Sequence, residues 1–154
     1  MARHSAPAGQ CPDSEVRAIM KMHRLAATSD SELDAAFADL VAQGGRALIV
    51  STDPSFNSRR DHIIALAARH AIPTIYGWPE YPNAGGLASY GPDLTEHYRL
   101  CAVYAGRILK GEKPADLPVQ QVTKVQLAIN MKTAKALGLT VPTSLLGRAD
   151  EVIE

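Results

Sequence analysis

Ala47-Leu-Ile-Val50, followed at once by Ser51-Thr-Asp-Pro54, is the stretch on which the fold turns. A short continuous apolar run with two β-branched residues suits a strand covered on both faces, as in a parallel sheet. Upstream, Ser29-Asp-Ser-Glu32 has the capping-box pattern, in which a Ser oxygen and a Glu side chain satisfy free N–H groups of a first helical turn. Leu33, Ala36, Phe37, Leu40 and Val41 follow at the spacing of one helical face, and Gly44-Gly45 ends that helix. Downstream, Ser58-Arg-Arg-Asp61 is expected to cap a second helix with Ile63, Leu66, Ala67 and His70 on its inner side. Residues Pro73 to Tyr76 then read as a second strand. Strand, helix and strand in alternation predict an α/β fold: an open, mainly parallel sheet with helices on both faces.

Working outward, Leu87 to Tyr90 reads as a third strand entered through Gly85-Gly86. Pro92 and Asp93 open a long helix with Leu94, Tyr98, Cys101, Ala105 and Ile108 on one side. Gly111 stops it, and the prolines of Glu112 to Pro118 make an extended connector. Leu127 to Asn130 is a fourth strand, and Thr133 to Leu137 and Ser144 to Val152 read as short helices. Toward the N-terminus, residues 13–20 suit a short helix and Met22 to Ala27 a strand. Residues 1–12 form a poorly ordered lead-in, and residues 13–154 a single α/β domain.

The composition excludes several classes. Sixteen basic residues balance sixteen acidic ones, whereas a nucleic-acid surface needs an excess of Lys and Arg to displace counterions. No apolar run is long enough to span a bilayer. No apolar h-region follows Met1-Ala-Arg-His, so the chain as written is expected to stay in the cytoplasm. Cys11 and Cys101 do not make a disulfide framework, and Cys101, in a helical apolar pattern, is expected to be buried. The five histidines show no metal-ligand spacing. There is no dinucleotide fingerprint, phosphate loop, C-x-x-C, H-E-x-x-H or nucleophile elbow. The residues imply no cofactor, no metal and no catalytic set.

Five further stretches occur in order: Tyr76-Gly-Trp-Pro-Glu80, Ala84-Gly-Gly-Leu-Ala-Ser-Tyr-Gly-Pro-Asp-Leu94, Ile108-Leu-Lys-Gly-Glu-Lys-Pro-Ala-Asp-Leu-Pro-Val119, Leu127-Ala-Ile-Asn-Met-Lys-Thr-Ala-Lys-Ala-Leu-Gly-Leu139 and Arg148-Ala-Asp-Glu-Val-Ile-Glu154. The series resembles the C-terminal half of the solute-binding proteins of ABC transporters, the group that includes tryptophan- and tyrosine-binding members. The resemblance reaches back more faintly to Leu33. It implies one lobe of a two-lobed periplasmic binding fold, with the first lobe absent from these 154 residues. It also implies a small solute, an aromatic or branched amino acid, a transporter permease as partner, and a periplasmic or cell-surface location for full-length relatives. In such relatives residues 112–154 would be a connector and a C-terminal segment that packs on the first lobe.

In an open parallel sheet, ligands bind outside the carboxyl ends of the strands. Those ends carry Thr52 and Asp53, Tyr76 and Trp78, and Ser89 and Tyr90. Together they offer a carboxylate for an ammonium, donors for a carboxylate and flat apolar walls for a side chain. Each has a plainer alternative. Asp53-Pro54 also makes a turn in which Asp bonds its own backbone, and Tyr76 also serves as core packing. The free N–H groups at the helix start near Asp93 are a generic anion site. Arg59 and Arg60 suit a solvated helix face.

Two readings besides solute binding stand open. One is a small cytoplasmic α/β enzyme acting on a phosphorylated or carboxylated metabolite, with Asp53 as base and the helix start near Asp93 as anion site. The other is a non-binding, self-associating domain. Leu127, Ile129, Met131, Leu137, Leu139, Leu145 and Leu146 would form a large exposed apolar patch without the first lobe. A homodimer covering it is the expected assembly, with a C-terminal segment folded back on its own sheet as the alternative.

Overall fold

The computed structural model describes residues 22–120 and 124–154. The lead-in over 1–12 and the helix over 13–20 therefore lie outside the described residues. Helix α1 runs Asp30–Ala42. The hydroxyl of Ser29 accepts from the Glu32 N–H at 3.3 Å. The Glu32 carboxylate reaches back to the N–H and hydroxyl of Thr28, at 2.6 and 2.7 Å. Those bonds hold the Glu32 carboxyl below the usual carboxylate range. The capping box thus closes one residue earlier than its usual form. Gly44, at φ +71°, then turns the chain out of the helix.

Strand β1 is Leu48–Val50. Two helices follow it rather than the one expected: α2, Pro54–Ser58, and α3, Arg60–Arg69. Asp53 caps α2, with Pro54 in its first turn. Ser58 caps nothing, and α3 starts without a side-chain cap. Strand β2 is Thr74–Tyr76, α4 is Glu80–Asn83 and β3 is Ala88–Pro92. Helix α5, Leu94–Leu109, is capped by Asp93. A 3₁₀ turn at Pro114–Asp116 carries the connector to β4, Val125–Asn130. Then come α6, Met131–Ala136, α7, Thr143–Leu146, and β5, Glu151–Ile153.

The five strands form one sheet in the order β1-β2-β3-β4-β5. All neighbours are parallel except β3 and β4. The open, mainly parallel α/β sheet is therefore as expected. Two elements differ. Met22 to Ala27 is not a strand: the segment leads into α1 and packs Ala27 against the core, and it does not pair with the open edge of β1. The C-terminal end is β5 where a helix over 144–152 was expected. Register explains this: β4 offers a free edge that takes Glu151, Val152 and Ile153 opposite Ala128, Ile129 and Asn130.

The core lies on one side of the sheet. Val50 and Tyr76 point from the strands toward Leu33 and Phe37 of α1, Ile63, Leu66 and Ala67 of α3, and Tyr81 of α4. Phe37 stacks on His70 at 6.1 Å. Alternation along the strands turns the intervening residues to the other side. There Ile49, Ile75, Ala88, Ile129 and Val152 stand in register across all five strands. Residues around α7, including Leu139, Pro142 and Leu145, line the β4 end of this second face. At the other end Ile49 is 74% exposed and Tyr90, opposite Leu127, is 62% exposed. The strand Ala47 to Val50 is accordingly covered on one face, not on both.

The C-terminal segment folds back on its own sheet. Ile129 is fully covered, Leu127, Met131, Leu137 and Leu146 are half-buried, and only Leu139 and Leu145 stay exposed. The expected patch is therefore smaller than the sequence suggested. In its place, α5 buries none of its side chains. Cys101, expected to be buried, is exposed on it.

Candidate functional site

The parallel run of β1, β2 and β3 brings three strand exits side by side. Their approach is close enough to exclude side chains. A Cβ on Gly77 would stand 2.0 Å from Thr52 Cγ2, and one on Gly91 would stand 1.9 Å from the Gly77 carbonyl oxygen. Thr52, Gly77 and Gly91 thus zip the three exits together. Neither glycine was singled out from the sequence, since a close approach of backbones leaves no local pattern.

Asp53 sits on the first exit. Its Oδ1 accepts from the Ser55 N–H at 2.8 Å and from the Ser55 hydroxyl at 2.5 Å. These two bonds, the hydroxyl's first, hold the carboxyl below its ordinary range. The turn role of Asp53 is therefore present, while Oδ2 takes no hydrogen bond among the described residues. The carboxylate is exposed, and its lowered pKa makes it a weaker proton acceptor than an ordinary carboxylate. Arg59 lies beside this loop. It donates to Asp30 Oδ1 at 2.9 Å and to the Ser55 carbonyl at 3.0 Å, tying α1 to α2 rather than standing free in solvent.

Tyr76, at the end of β2, faces the core. Its ring stacks on Tyr81 at 4.2 Å and an interplanar angle of 15°. Burial pushes its phenol up to about 12. Ser89, on the same side of β3, is also buried. Thr52 and Tyr90 lie toward the second face, where they line a trough with Ile49, Ile75 and Leu127. Trp78, on the second exit, is half-buried against the core. The six residues thus occupy one edge of the sheet but two sides of it.

Three buried polar atoms on the exits have no hydrogen-bond partner among the described residues: Asn57 Oδ1, Trp78 Nε1 and Glu80 Oε2. An unpaired buried donor or acceptor costs free energy, about 1–3 kcal/mol each, and such groups gather where a ligand or water completes them. Asn57 and Glu80 were not picked out from the sequence. The available signal was position: each lies within four residues of a strand exit already judged functional.

The third exit differs from expectation. The N–H groups of Thr95 and Glu96 at the start of α5 are taken by Asp93 Oδ1, at 3.0 and 3.3 Å. Asp93 Oδ2 meets Lys124 Nζ at 3.1 Å and Gln126 Nε2 at 3.2 Å. The Lys124 bond, first among several, keeps this carboxyl below the usual range. The helix start therefore already holds an anion, the protein's own. This removes the anion site on which the enzyme reading depended. Among the described residues no group of three or more His, Cys, Asp or Glu side chains is placed to hold a metal ion. No helix among them is long and apolar enough to cross a membrane.

Comparison with known proteins fixes the family. The model of the ABC transporter substrate binding protein family matches residues 15–153. Among solved structures, one similar chain is the ABC domain from Streptococcus pneumonia in complex with L-Trp. It is 27% identical, with a TM-score of 0.80, over 90% of this chain and 48% of that one. A conserved domain protein from Vibrio cholerae O1 biovar El Tor is 27% identical, with a TM-score of 0.74, over 82% and 42%. A ligand-free, open substrate binding protein with adhesive properties from Clostridium difficile is 25% identical, with a TM-score of 0.58, over 82% and 42%. No curated protein matches the sequence. The chain spans less than half the length of the solved structures it matches. It belongs to the ABC transporter substrate binding protein family, a family of binding proteins rather than enzymes.

Proposed function

We propose that this chain is a solute-binding component of an ABC transporter, or part of one, that binds an aromatic or branched amino acid without chemical change. The observation that carries the reading is its likeness, over 90% of its length, to a domain of the same kind bound to L-Trp. The strand exits supply suitable chemistry. Asp53 Oδ2 receives the ammonium, Thr52 donates to the carboxylate, and Trp78 and Tyr90 present flat apolar surface. Tyr76 and Ser89 form the floor from the core side. The partner is a transporter permease, and the place of action is the periplasm or the cell surface. A homodimer belongs to the same reading, since apolar surface remains uncovered on α5 and on the second face of the sheet.

Affinity for the isolated chain is expected to be weak, because an open edge leaves much of the ligand's apolar surface in water. Titration calorimetry with the amino-acid set tests this. Binding should favour aromatic or branched side chains and fall at least tenfold in Asp53→Ala and in Trp78→Ala. Tight binding of a sugar phosphate or nucleotide, with no response to amino acids, would refute it.

A further inference from the structure

Two bare apolar surfaces of this chain are complementary in kind. One belongs to α5. Tyr98, Cys101, Ala105, Ile108 and Leu109 lie within one half of the helix circumference, yet no residue of the helix is buried, and Leu109 is 87% exposed. An amphipathic helix of sixteen residues normally sets that stripe on a core. The other is the trough on the second face of the sheet, where Ile49, Ile75, Tyr90 and Leu127 lie together beside Leu145. A sheet in this class normally carries helices on both faces, and here no helix covers the β1–β3 end among the described residues. Among the described residues there is a helix stripe without a sheet and a sheet face without a helix.

We propose that a second copy of this chain supplies the missing element, each copy laying its α5 across the β1–β3 end of the other's second face about a two-fold axis. The inference rests on the homodimer named above and specifies its interface. Exchange of the same element in both directions makes the contact self-complementary, as a two-fold interface must be. The area is sufficient. Ile49, Ile75, Tyr90 and Leu145 in the trough are 42–74% exposed, and Tyr98, Ile108 and Leu109 on α5 are 42–87% exposed. At about 150–250 Å² for a large side chain, these seven present on the order of 800 Å² per chain, and a standard interface buries about 800 Å² per partner. Charge does not oppose the pairing, because the formal net charge of each copy is zero. The connector meets α5 at the border of the stripe, where Tyr104, next to Cys101 and Ile108, donates to the Pro118 carbonyl, and on the far side, where Arg107 pairs with Glu112; Tyr98, Ile108 and Leu109 stay exposed.

Cys101 lies in the middle of the stripe and is exposed, so the protein carries its own probe. The test combines Cys11→Ser with Ile75→Cys, and separately with Ile49→Cys in case one substitution impairs folding. Light scattering at micromolar concentration gives the assembly state. Mild oxidation followed by peptide mapping then gives the contacts. The expected result is a dimer joined by a disulfide between Cys101 of one copy and the sulfur introduced into the trough of the other. A folded monomer would overturn the homodimer and this interface together, and would mean that other residues of the chain or a bound apolar molecule cover the trough. A dimer linked only through Cys101 to Cys101, or one that forms no disulfide, would leave the homodimer standing and overturn the exchange of α5.

Discussion

The two faces of the sheet are built from the same strands and have opposite fates. On one, Val50 and Tyr76 meet α1, α3 and α4, and Tyr76 is 1% exposed. On the other, the neighbouring residues Ile49 and Ile75 are at least as apolar and are 74% and 44% exposed. Strand alternation sends one residue to each face in turn, so the difference does not originate in the strands. It originates in the crossovers. The helices that follow Ser29 and Arg59 return on the same side and pack together, while the other side receives, among the described residues, only the short α7 and its flanking turns. Apolar pattern is therefore a permission to be buried, and the connection decides whether it is used.

Core truncation gives the largest contrast between the faces. Leu66→Ala, on the covered face, should cost about 2–5 kcal/mol because it removes buried methyl groups and leaves a cavity. Ile49→Ala, on the bare face, should cost less than about 1 kcal/mol in the monomer, since that side chain is already in water. Urea denaturation at low protein concentration measures both. Comparable costs would mean that the bare face is covered in solution.

Gly91→Ala should follow in size. A Cβ there collides with backbone rather than with a movable side chain, so the strand exits must part. The expected loss is about 1–3 kcal/mol, with ligand binding lost as well, because the zip at Gly77 holds the site. Stability unchanged from wild type would show that the exits separate freely.

Next in size is an alkaline effect confined to the covered face. The Tyr76 phenol is pushed up to about 12 by burial. A raised folded value means that the neutral form is favoured by folding. That stability is present in full below about pH 10, the ordinary phenol value, and disappears as pH rises toward 12. Absorbance titration near 295 nm, alongside stability measurements on wild type and Tyr76→Phe, reads the effect. Burial raises the stacked Tyr81 phenol as well, so loss of stability above pH 10 that persists when both Tyr76→Phe and Tyr81→Phe are made would count against the assignment.

The smallest effect is acidic. Asp93 is held below the usual carboxylate range mainly by Lys124. Its contribution is present above the unfolded value near pH 4 and is lost as pH falls through the lower folded value. Asp93→Asn should flatten the pH dependence of stability below pH 4 and fray the start of α5, which circular dichroism would register as a small helical loss.

Legibility followed the range of the interaction. Capping at Ser29 and Asp93 was readable because acceptor and donor are three residues apart or fewer. The inner side of α3, with Ile63, Leu66 and Ala67, was readable because helical spacing repeats within ten residues. The third strand was found, although it extends two residues further, to Pro92. Less was legible at the site. Asp53, Tyr76, Trp78 and their neighbours lie along one edge of the sheet. Their division between two sides of the sheet, and the unpaired atoms of Asn57 and Glu80, depend on how loops separated by more than twenty residues meet.

The sequence alone determined the elements that local chemistry specifies: the parallel strands Leu48–Val50 and Thr74–Tyr76, the capped helices α1 and α5, and the glycine that ends α1. Tertiary structure alone decided the rest. Glu151-Val-Ile153 became a strand because β4 had a free edge, and Met22 to Ala27 did not because Ala27 packs on the core and the segment does not pair with the open edge of β1. Cys101 and Tyr98 stayed in water because nothing among the described residues lies across that side of α5. Hydrogen-bond caps and helical periods act between near neighbours, so they are written in the order of the residues. Burial and strand pairing need a second surface, and no residue carries the identity of the surface it will meet.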